Sequence, residues 1–344
     1  MGNNADLILV GMEGEVHIGT HLRDAAKESG LRTEFFNMAE AFGTRNLVNR
    51  LRWRLGGHRP VCMSEFGGKI LKACRESGAR WLLATGVAPL EQEILRAAGE
   101  VPIRRINYLT DDPWNPAHRA PWFLRALTGY DAVFSTRRSN LEDLRAAGCV
   151  RANYLPFAYN PKIHYPVSLK DPEEQARFSS DLLFVGGADR DRFPFIRALL
   201  GEGFSAALYG SSWGEDPQTR SHWKGFATPE IFRKAVAGSK VNLCLVRRAN
   251  RDGNSMRTFE IPAMGGCVLA EETPEHREIF GEEGEAALYF RSPQQAAEKI
   301  RLLLADERKR ARLAENAHRR IAGGANTYGN RLREMLGLPA AKGE

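Results

Sequence analysis

Arg257-Thr258-Phe259-Glu260-Ile261-Pro262-Ala263-Met264-Gly265-Gly266-Cys267-Val268-Leu269-Ala270-Glu271-Glu272-Thr273-Pro274-Glu275-His276 reads as a short apolar helix, a diglycine stop, a buried strand and the start of a second helix. One carboxylate stands on the oily helix. Glutamate is rarely buried without a partner, so Glu260 is expected to face a polar cleft rather than packed core. Pro262 removes a backbone donor and crowds the preceding turn, at a cost of about 3 kcal/mol in a helix interior. Local rules are broken most often at functional sites, and two are broken here within three residues.

Helix, turn, strand and helix follow one another in the same way along the rest of the chain. Leu7-Ile8-Leu9-Val10 is a first buried strand, followed by a loop and a helix from Gly19 to Glu28. Trp81–Ala84, Arg105–Leu109 and Ala132–Ser135 are further strands, and Ser139-x-x-Glu142 has the form of a capping box. A second series opens at Asp181-Leu182-Leu183-Phe184-Val185-Gly186-Gly187 and continues through Ala206–Gly210, Lys240–Leu245, Cys267–Ala270 and Ala287–Phe290. Thr228-Pro229, Thr273-Pro274 and Ser292-Pro293 each offer an N-cap followed by a first-turn proline. Alternating strands and helices predict an α/β fold of two doubly wound, Rossmann-like domains. The first spans 1–160, a Pro- and Lys-rich linker 161–176, the second 177–325, and a last helix 326–344.

The chain has 344 residues, enough for two ordinary domains that each bury a core. Hydrophobic residues make up 43% and charged residues 26%, the balance of a globular protein. No apolar run approaches the roughly 18 residues of a membrane span, and the first residues lack a signal-peptide pattern, so a cytoplasmic location is expected. The five cysteines are scattered without a C-x-x-C pair, which argues against a zinc site or a disulfide framework. Of the +7 net charge, a good part falls on Arg45, Arg50, Arg52, Arg54, His58 and Arg59. With Leu47, Val48, Leu51, Leu55 and Trp53 among them, segment 45–59 reads either as a solvated helix face or as a basic amphipathic helix for peripheral contact with anionic lipid. No nucleic-acid recognition module accompanies the charge.

The stretch quoted first resembles the nucleotide-sugar segment of the spore-maturation CgeB-type glycosyltransferases, a branch of the GT-B glycosyltransferases. The resemblance implies two domains facing a cleft, a nucleotide-sugar donor with a UDP or GDP head, and a hydroxyl acceptor. It also implies polysaccharide biosynthesis as the setting, with no separate cofactor. Glu260 stands where that family grips the ribose hydroxyls, and Asp252 stands where many retaining members carry a second acid. Asn254 and Ser255 are good N-cap types, so the amides of Ser255, Met256 and Arg257 are candidates for the diphosphate, with the Arg257 guanidinium beside them. Gly186 and Gly187 match the family's glycine turn, Arg192 falls on its phosphate-binding position, and Arg190 stands close by. Lys224-Gly225-Phe226 resembles the loop flanking the nucleobase, with Gly225 as the candidate for reading the base edge; an ordinary strand-to-helix connection is the other reading. Asn326-Thr327-Tyr328-Gly329-Asn330-Arg331 resembles a late family signature that usually begins with His.

In the first domain, Asn107-Tyr108-Leu109-Thr110-Asp111-Asp112-Pro113-Trp114-Asn115 follows a strand and resembles an acidic segment of the same family. Asp111 or Asp112 is the candidate base that takes the acceptor proton, the alternative being a helix N-cap. His17, with His21, is a second candidate on the first strand-to-helix loop. Asp111-Asp112 lacks the D-x-D spacing of metal-dependent transferases, so no metal is assigned. Two other classes stay open: a GT-B-shaped binding protein without turnover, and a sugar-nucleotide epimerase.

Overall fold

The structure is a computed structural model, and it describes residues 4–43, Trp53 and 56–340. Arg45, Arg50, Arg52 and Arg54, the heart of the basic segment, lie outside the described residues. The chain divides into two compact units. Unit 1 holds residues 1–156, 249–251 and 328–344, and unit 2 holds 157–248 and 252–327.

Unit 1 is built on a six-stranded, all-parallel sheet. In chain order the strands are β1 (Leu7–Gly11), β2 (Thr33–Asn37), β3 (Trp81–Thr85), β4 (Arg104–Leu109), β5 (Ala132–Ser135) and β6 (Ala152–Tyr154); in space they run β2-β1-β3-β4-β5-β6. β1 and β3 are buried at every position, which is why their sequences show continuous apolar runs rather than alternation. Helices α1 (Ile18–Glu28), α2 (Met63–Glu76), α3 (Gln92–Ala98), α4 (Pro121–Ala126) and α5 (Leu141–Ala146) connect the strands. Phe66, Ile70, Leu82, Leu90, Leu95, Phe123, Leu127 and Val133 form the centre of its core. The start of α1 passes so close to the end of β1 that a Cβ on Gly11 would lie 2.8 Å from the Gly19 Cα. Only glycine fits both places.

Unit 2 repeats the plan with five parallel strands in the order β11-β10-β9-β7-β8. They are β7 (Ser180–Val185), β8 (Ala206–Tyr209), β9 (Ser239–Cys244), β10 (Val268–Glu271) and β11 (Leu288–Phe290). Its helices are α6 (Pro172–Phe178), α7 (Arg192–Gly201), α8 (Pro229–Gly238), α9 (Met256–Ala263), α10 (Pro274–Phe280), α11 (Pro293–Ala305) and α12 (Glu307–Ala322). The three Thr/Ser-Pro starts expected from sequence are real caps. Thr228 accepts from the Ile231 amide at 3.3 Å, Thr273 from His276 at 2.9 Å and Ser292 from Gln295 at 3.2 Å. The Ser139 capping box is not formed. A short 3-10 turn, Arg138–Asn140, precedes α5, and the Ser139 hydroxyl donates to the Arg251 carbonyl at 3.1 Å instead.

Two segments join unit 1 from later in the sequence. The last helix, α13 (Tyr328–Leu336), buries Tyr328, Leu332, Met335 and Leu336, and stacks Tyr328 on His21 with ring centroids 5.0 Å apart. Residues 249–251 also belong to unit 1, although the sequence pattern sets them within the second domain. No helix among the described residues is long and apolar enough to cross a membrane.

Candidate functional site

Helix α9 starts at Ser255, whose backbone is extended (φ −139°, ψ 172°). Its amide donates to the Thr258 hydroxyl at 2.9 Å. The Thr258 hydroxyl faces His276 Nε2 at 2.9 Å, while His276 Nδ1 lies 2.6 Å from the Glu271 carbonyl oxygen. A carbonyl only accepts, so Nδ1 carries the proton and Nε2 accepts from Thr258. Burial lowers the His276 pKa, which keeps this tautomer neutral. The relay fixes the start of α9 and uses the Ser255 amide. The sequence reading offered that amide to a phosphate; of the three it named, only those of Met256 and Arg257 remain candidates. Asn254 is corrected likewise. It is fully buried, and its Oδ1 accepts from the Phe157 amide at 3.4 Å.

The far end of α9 explains the diglycine. Gly266 N donates to Ile261 O at 3.0 Å and Gly265 N to Pro262 O at 2.9 Å, with Gly265 at φ +79°. These are the paired bonds of a Schellman stop, which needs a residue in the left-handed region. A Cβ on Gly266 would approach Val236 Cγ1 to 2.7 Å. Pro262 is tolerated as the penultimate residue of this short helix, and its carbonyl accepts from His318 Nδ1 at 2.9 Å.

Between these ends sits Glu260, 1% exposed. Its Oε2 is held by Arg257 Nη1, one turn earlier, and its Oε1 lies 3.6 Å from His164 Nε2. The expectation of a carboxylate facing an open cleft is therefore corrected: it is buried, and its polar surroundings are side chains of its own unit. Arg257 also donates from Nε to the Val185 carbonyl at 2.9 Å and lies 4.7 Å over the Phe232 ring. The Val185 bond ties Arg257 to the end of β7, where Gly186 and Gly187 follow. A Cβ on Gly187 would meet Ser211 Oγ at 2.7 Å, and one on Gly210 (φ +132°) would meet Gly186 O at 2.4 Å. The glycines thus let the β7 and β8 turns pack backbone to backbone, a packing role the sequence reading had not assigned. Gly225 closes the same corner: its carbonyl accepts from Gly210 N at 2.8 Å, and its φ is +86°.

Arg192, at the start of α7, is 9% exposed and donates from Nη1 to Gly187 O at 3.0 Å. Its Nε, 3.6 Å from Asp189 Oδ2, has no hydrogen-bond partner among the described residues. Burial lowers its pKa from the ordinary arginine value. Arg247 Nε also lies 3.6 Å from Asp189 Oδ2, and Asp252 accepts from the Arg247 amide at 3.3 Å. Arg190 is exposed on the turn before α7. Of the residues singled out from sequence, Arg257 and Arg192 meet the backbone that follows β7, at Val185 O and Gly187 O, and Gly225 meets the turn after β8. Sequence reasoning missed His164, Arg247 and His276. His164 lay in a segment read as linker, where a histidine between Pro161 and Pro166 was the available signal.

In unit 1 the paired acids separate. Asp111 is half-buried and accepts from Thr110 Oγ1 at 3.4 Å. Asp112 is 1% exposed. It accepts from Trp114 N at 3.0 Å, Asn140 Nδ2 at 3.0 Å, Arg251 Nε at 2.6 Å and Arg251 Nη2 at 3.0 Å. Asn250 Oδ1 takes Asn115 Nδ2 at 2.7 Å beside it. The loop after β4 is thus a receptor for 249–251, and Asp112 is corrected from candidate base to strut, because it is buried with Oδ1 accepting from Trp114, Asn140 and Arg251 and Oδ2 paired with the Arg251 guanidinium. Its hydrogen bonds to the guanidinium raise the Arg251 pKa. His17 caps α1 on the surface, exposed and without a side-chain bond to the helix, whereas His21 is 2% exposed against Tyr328. No cluster of three or more His, Cys, Asp or Glu able to hold a metal occurs among the described residues.

Residues 192–337 match the family model described as "Glycosyl transferase-like". Solved structures of the same fold include sucrose-phosphate synthase from Thermosynechococcus elongatus, with a TM-score of 0.67 and 13% identity over 96% of this chain and 97% of that one. HepE from Anabaena, in complex with UDP and glucose, aligns with a TM-score of 0.64 and 14% identity over 97% and 98%. A UDP-forming α,α-trehalose-phosphate synthase from Burkholderia xenovorans gives 0.60 and 11% over 96% and 98%. No curated protein matches by sequence. The two parallel-sheet units are those of the GT-B glycosyltransferase fold.

Proposed function

We propose that this protein transfers a sugar from a nucleoside-diphosphate donor to a hydroxyl acceptor, with the donor nucleotide held by unit 2. The observation that carries the reading is Glu260, a buried carboxylate braced on one oxygen by Arg257 and approached on the other by His164. A ribose presents two vicinal hydroxyls, and a carboxylate whose orientation is already fixed accepts from both with little ordering cost. The glycosyl transferase-like match over 192–337 includes Arg192, Arg257 and Glu260 and supports the assignment. HepE, of the same fold, is described in complex with UDP, which makes UDP the first head group to test.

Breaking the donor's glycosidic bond leaves negative charge on the diphosphate. Arg257, Arg192 and the exposed Arg190 are assigned to it, together with the amides of Met256 and Arg257 at the helix end. A buried guanidinium is a strong stabiliser of developing charge because little water competes with it. Asp252 is assigned to the sugar end of the donor. Asp111 takes the acceptor proton, with His17 as the alternative base, since Asp112 is committed to Arg251. That commitment also favours metal-independent transfer, because the Asp111-Asp112 pair does not offer two open carboxylates to a cation. The finer placement in the CgeB-type branch rests on the motif around Glu260.

The test is release of UDP from UDP-glucose and related donors, with and without saccharide acceptors, for the wild type and Glu260→Ala. Acceptor-dependent release that the variant loses is the expected result. Release without any transferred sugar points to an epimerase or hydrolase, and binding without release points to a non-catalytic protein.

A further inference from the structure

The segment from Asn160 to Pro166, expected as a linker, is fastened to unit 2 along its length. Ile163 and His164 amides both return to the Asn160 carbonyl, at 3.1 and 2.9 Å. Arg233, on α8, donates from Nη1 to the Ile163 carbonyl at 2.8 Å and lies 4.3 Å over the Tyr165 ring. Pro166 lies against Gly265, where a Cβ would be 3.8 Å from its Cγ. A tether needs none of this. The residue it immobilises is His164, 4% exposed, with its ring edge-on to Phe232 at 6.2 Å between centroids. Arg257 lies 4.7 Å over the ring of the same Phe232.

The hydrogen bonds decide which nitrogen of His164 carries the proton. The Asn160 amide donates to Nδ1 at 3.1 Å, so Nδ1 is the acceptor, and a neutral ring must be protonated on Nε2. That Nε2–H lies 3.6 Å from Glu260 Oε1. We infer that His164 is the positioning residue of the donor site: a neutral imidazole locked in one tautomer that steadies one oxygen of Glu260 while Arg257 steadies the other. Protonation at Nδ1 would displace the Asn160 amide. The charged groups facing the ring are Glu260, which favours the cation, and Arg257 and Arg233, which oppose it. Burial dominates and lowers the His164 pKa, which favours the neutral ring. Held from both sides, the carboxylate is fixed in one orientation. This inference rests on the donor-site reading of Glu260.

Calorimetric titration with UDP separates the two. Wild type, Glu260→Gln, His164→Phe and His164→Gln are compared, each with its melting temperature. The expected pattern is a Kd for UDP raised about threefold to tenfold in His164→Phe, which removes a polar N–H 3.6 Å from a buried charge, and largely restored in His164→Gln, whose amide also carries an N–H. In turnover the same change appears in KM for the donor, with kcat within about threefold. If the wild type binds UDP, Glu260→Gln binds it about tenfold or more weakly, and His164→Phe binds like the wild type, the inference is wrong and the donor site stands. If the wild type binds no UDP, GDP or TDP, the donor-site reading itself falls and the inference with it. Nitrogen-15 histidine spectra of the wild type add a check that needs no variant: His164 protonated on Nε2, shifting when UDP is added, supports the proposal. Protonation on Nδ1 overturns it.

Discussion

Replacing Asp112 with alanine tests whether this residue is a strut or a reagent. Its side chain is 1% exposed and receives four hydrogen bonds, from Trp114 N, Asn140 Nδ2 and two nitrogens of Arg251. Truncation strands the fully buried Asn140 amide group and the half-buried Trp114 amide, and a donor left unpaired away from water costs about 1–3 kcal/mol. Arg251 adds little, because its side chain is 42% exposed and keeps Asp143 at 2.8 Å. The sum is about 4 kcal/mol on unit 1. At roughly 2–4 °C per kcal/mol for a unit of this size, its melting transition should fall by roughly 8–16 °C. Differential scanning calorimetry reads the transition, and turnover measured well below it reads the chemistry. A strut lowers the transition and leaves turnover of the folded protein within about threefold. An unchanged transition with a collapse in turnover would refute this reasoning and return Asp112 to the role of base.

Three further outcomes follow from groups outside that site. At pH 8 a thiol-reactive dye should label one cysteine of the folded protein rapidly, the half-buried Cys62. Burial pushes Cys74 and Cys267 up to about 12 and Cys149 to about 11, and also raises Cys244, so these should react only on unfolding. Fast labelling of two or more would contradict the packing. The Arg32 guanidinium and amide hold the Asp6 carboxyl down at about 2, below its unfolded value near 4. The pair therefore stabilises above pH ~4 and loses its effect as pH falls from there towards 2. Asp6→Asn should melt below the wild type at pH 7, with the gap closing by pH 2; a constant gap would mean the charge is irrelevant. Gly210→Ala forces a Cβ to 2.4 Å from Gly186 O at φ +132°, so it should melt well below the wild type and weaken UDP binding together. Normal melting would show that the turn has room.

What the sequence disclosed is what near neighbours decide. Thr228, Thr273 and Ser292 cap helices with amides three residues on, and Gly265 and Gly266 stop a helix with carbonyls at Ile261 and Pro262, so residue type and order suffice to read them. The buried strands and both parallel sheets follow in the same way from apolar runs separated by helix signals. The misreadings share another cause. Asp112 looked like a free acid because its partner Arg251 is 139 positions away, and Ser139 looked like a cap because its true acceptor, Arg251 O, is 112 positions away. The segment 160–166 looked like a linker because Pro and Lys signal exposure, while what anchors it is Arg233 on a distant helix. Glu260 is legible as a lone acid on an apolar helix, but not as a buried one. Its second partner, His164, lies 96 positions earlier, and no periodicity links the two.

The most direct measurement of the central claim compares UDP with 2′-deoxy-UDP, by calorimetry, on the wild type and Glu260→Gln. One hydroxyl accepted by a buried carboxylate is worth about 1.5 kcal/mol or more, so the wild type should prefer UDP by about tenfold or more, and the variant should bind both nucleotides within about threefold of each other. Equal binding of the two by the wild type, or a full preference surviving in Glu260→Gln, would contradict the assignment of Glu260 to the ribose.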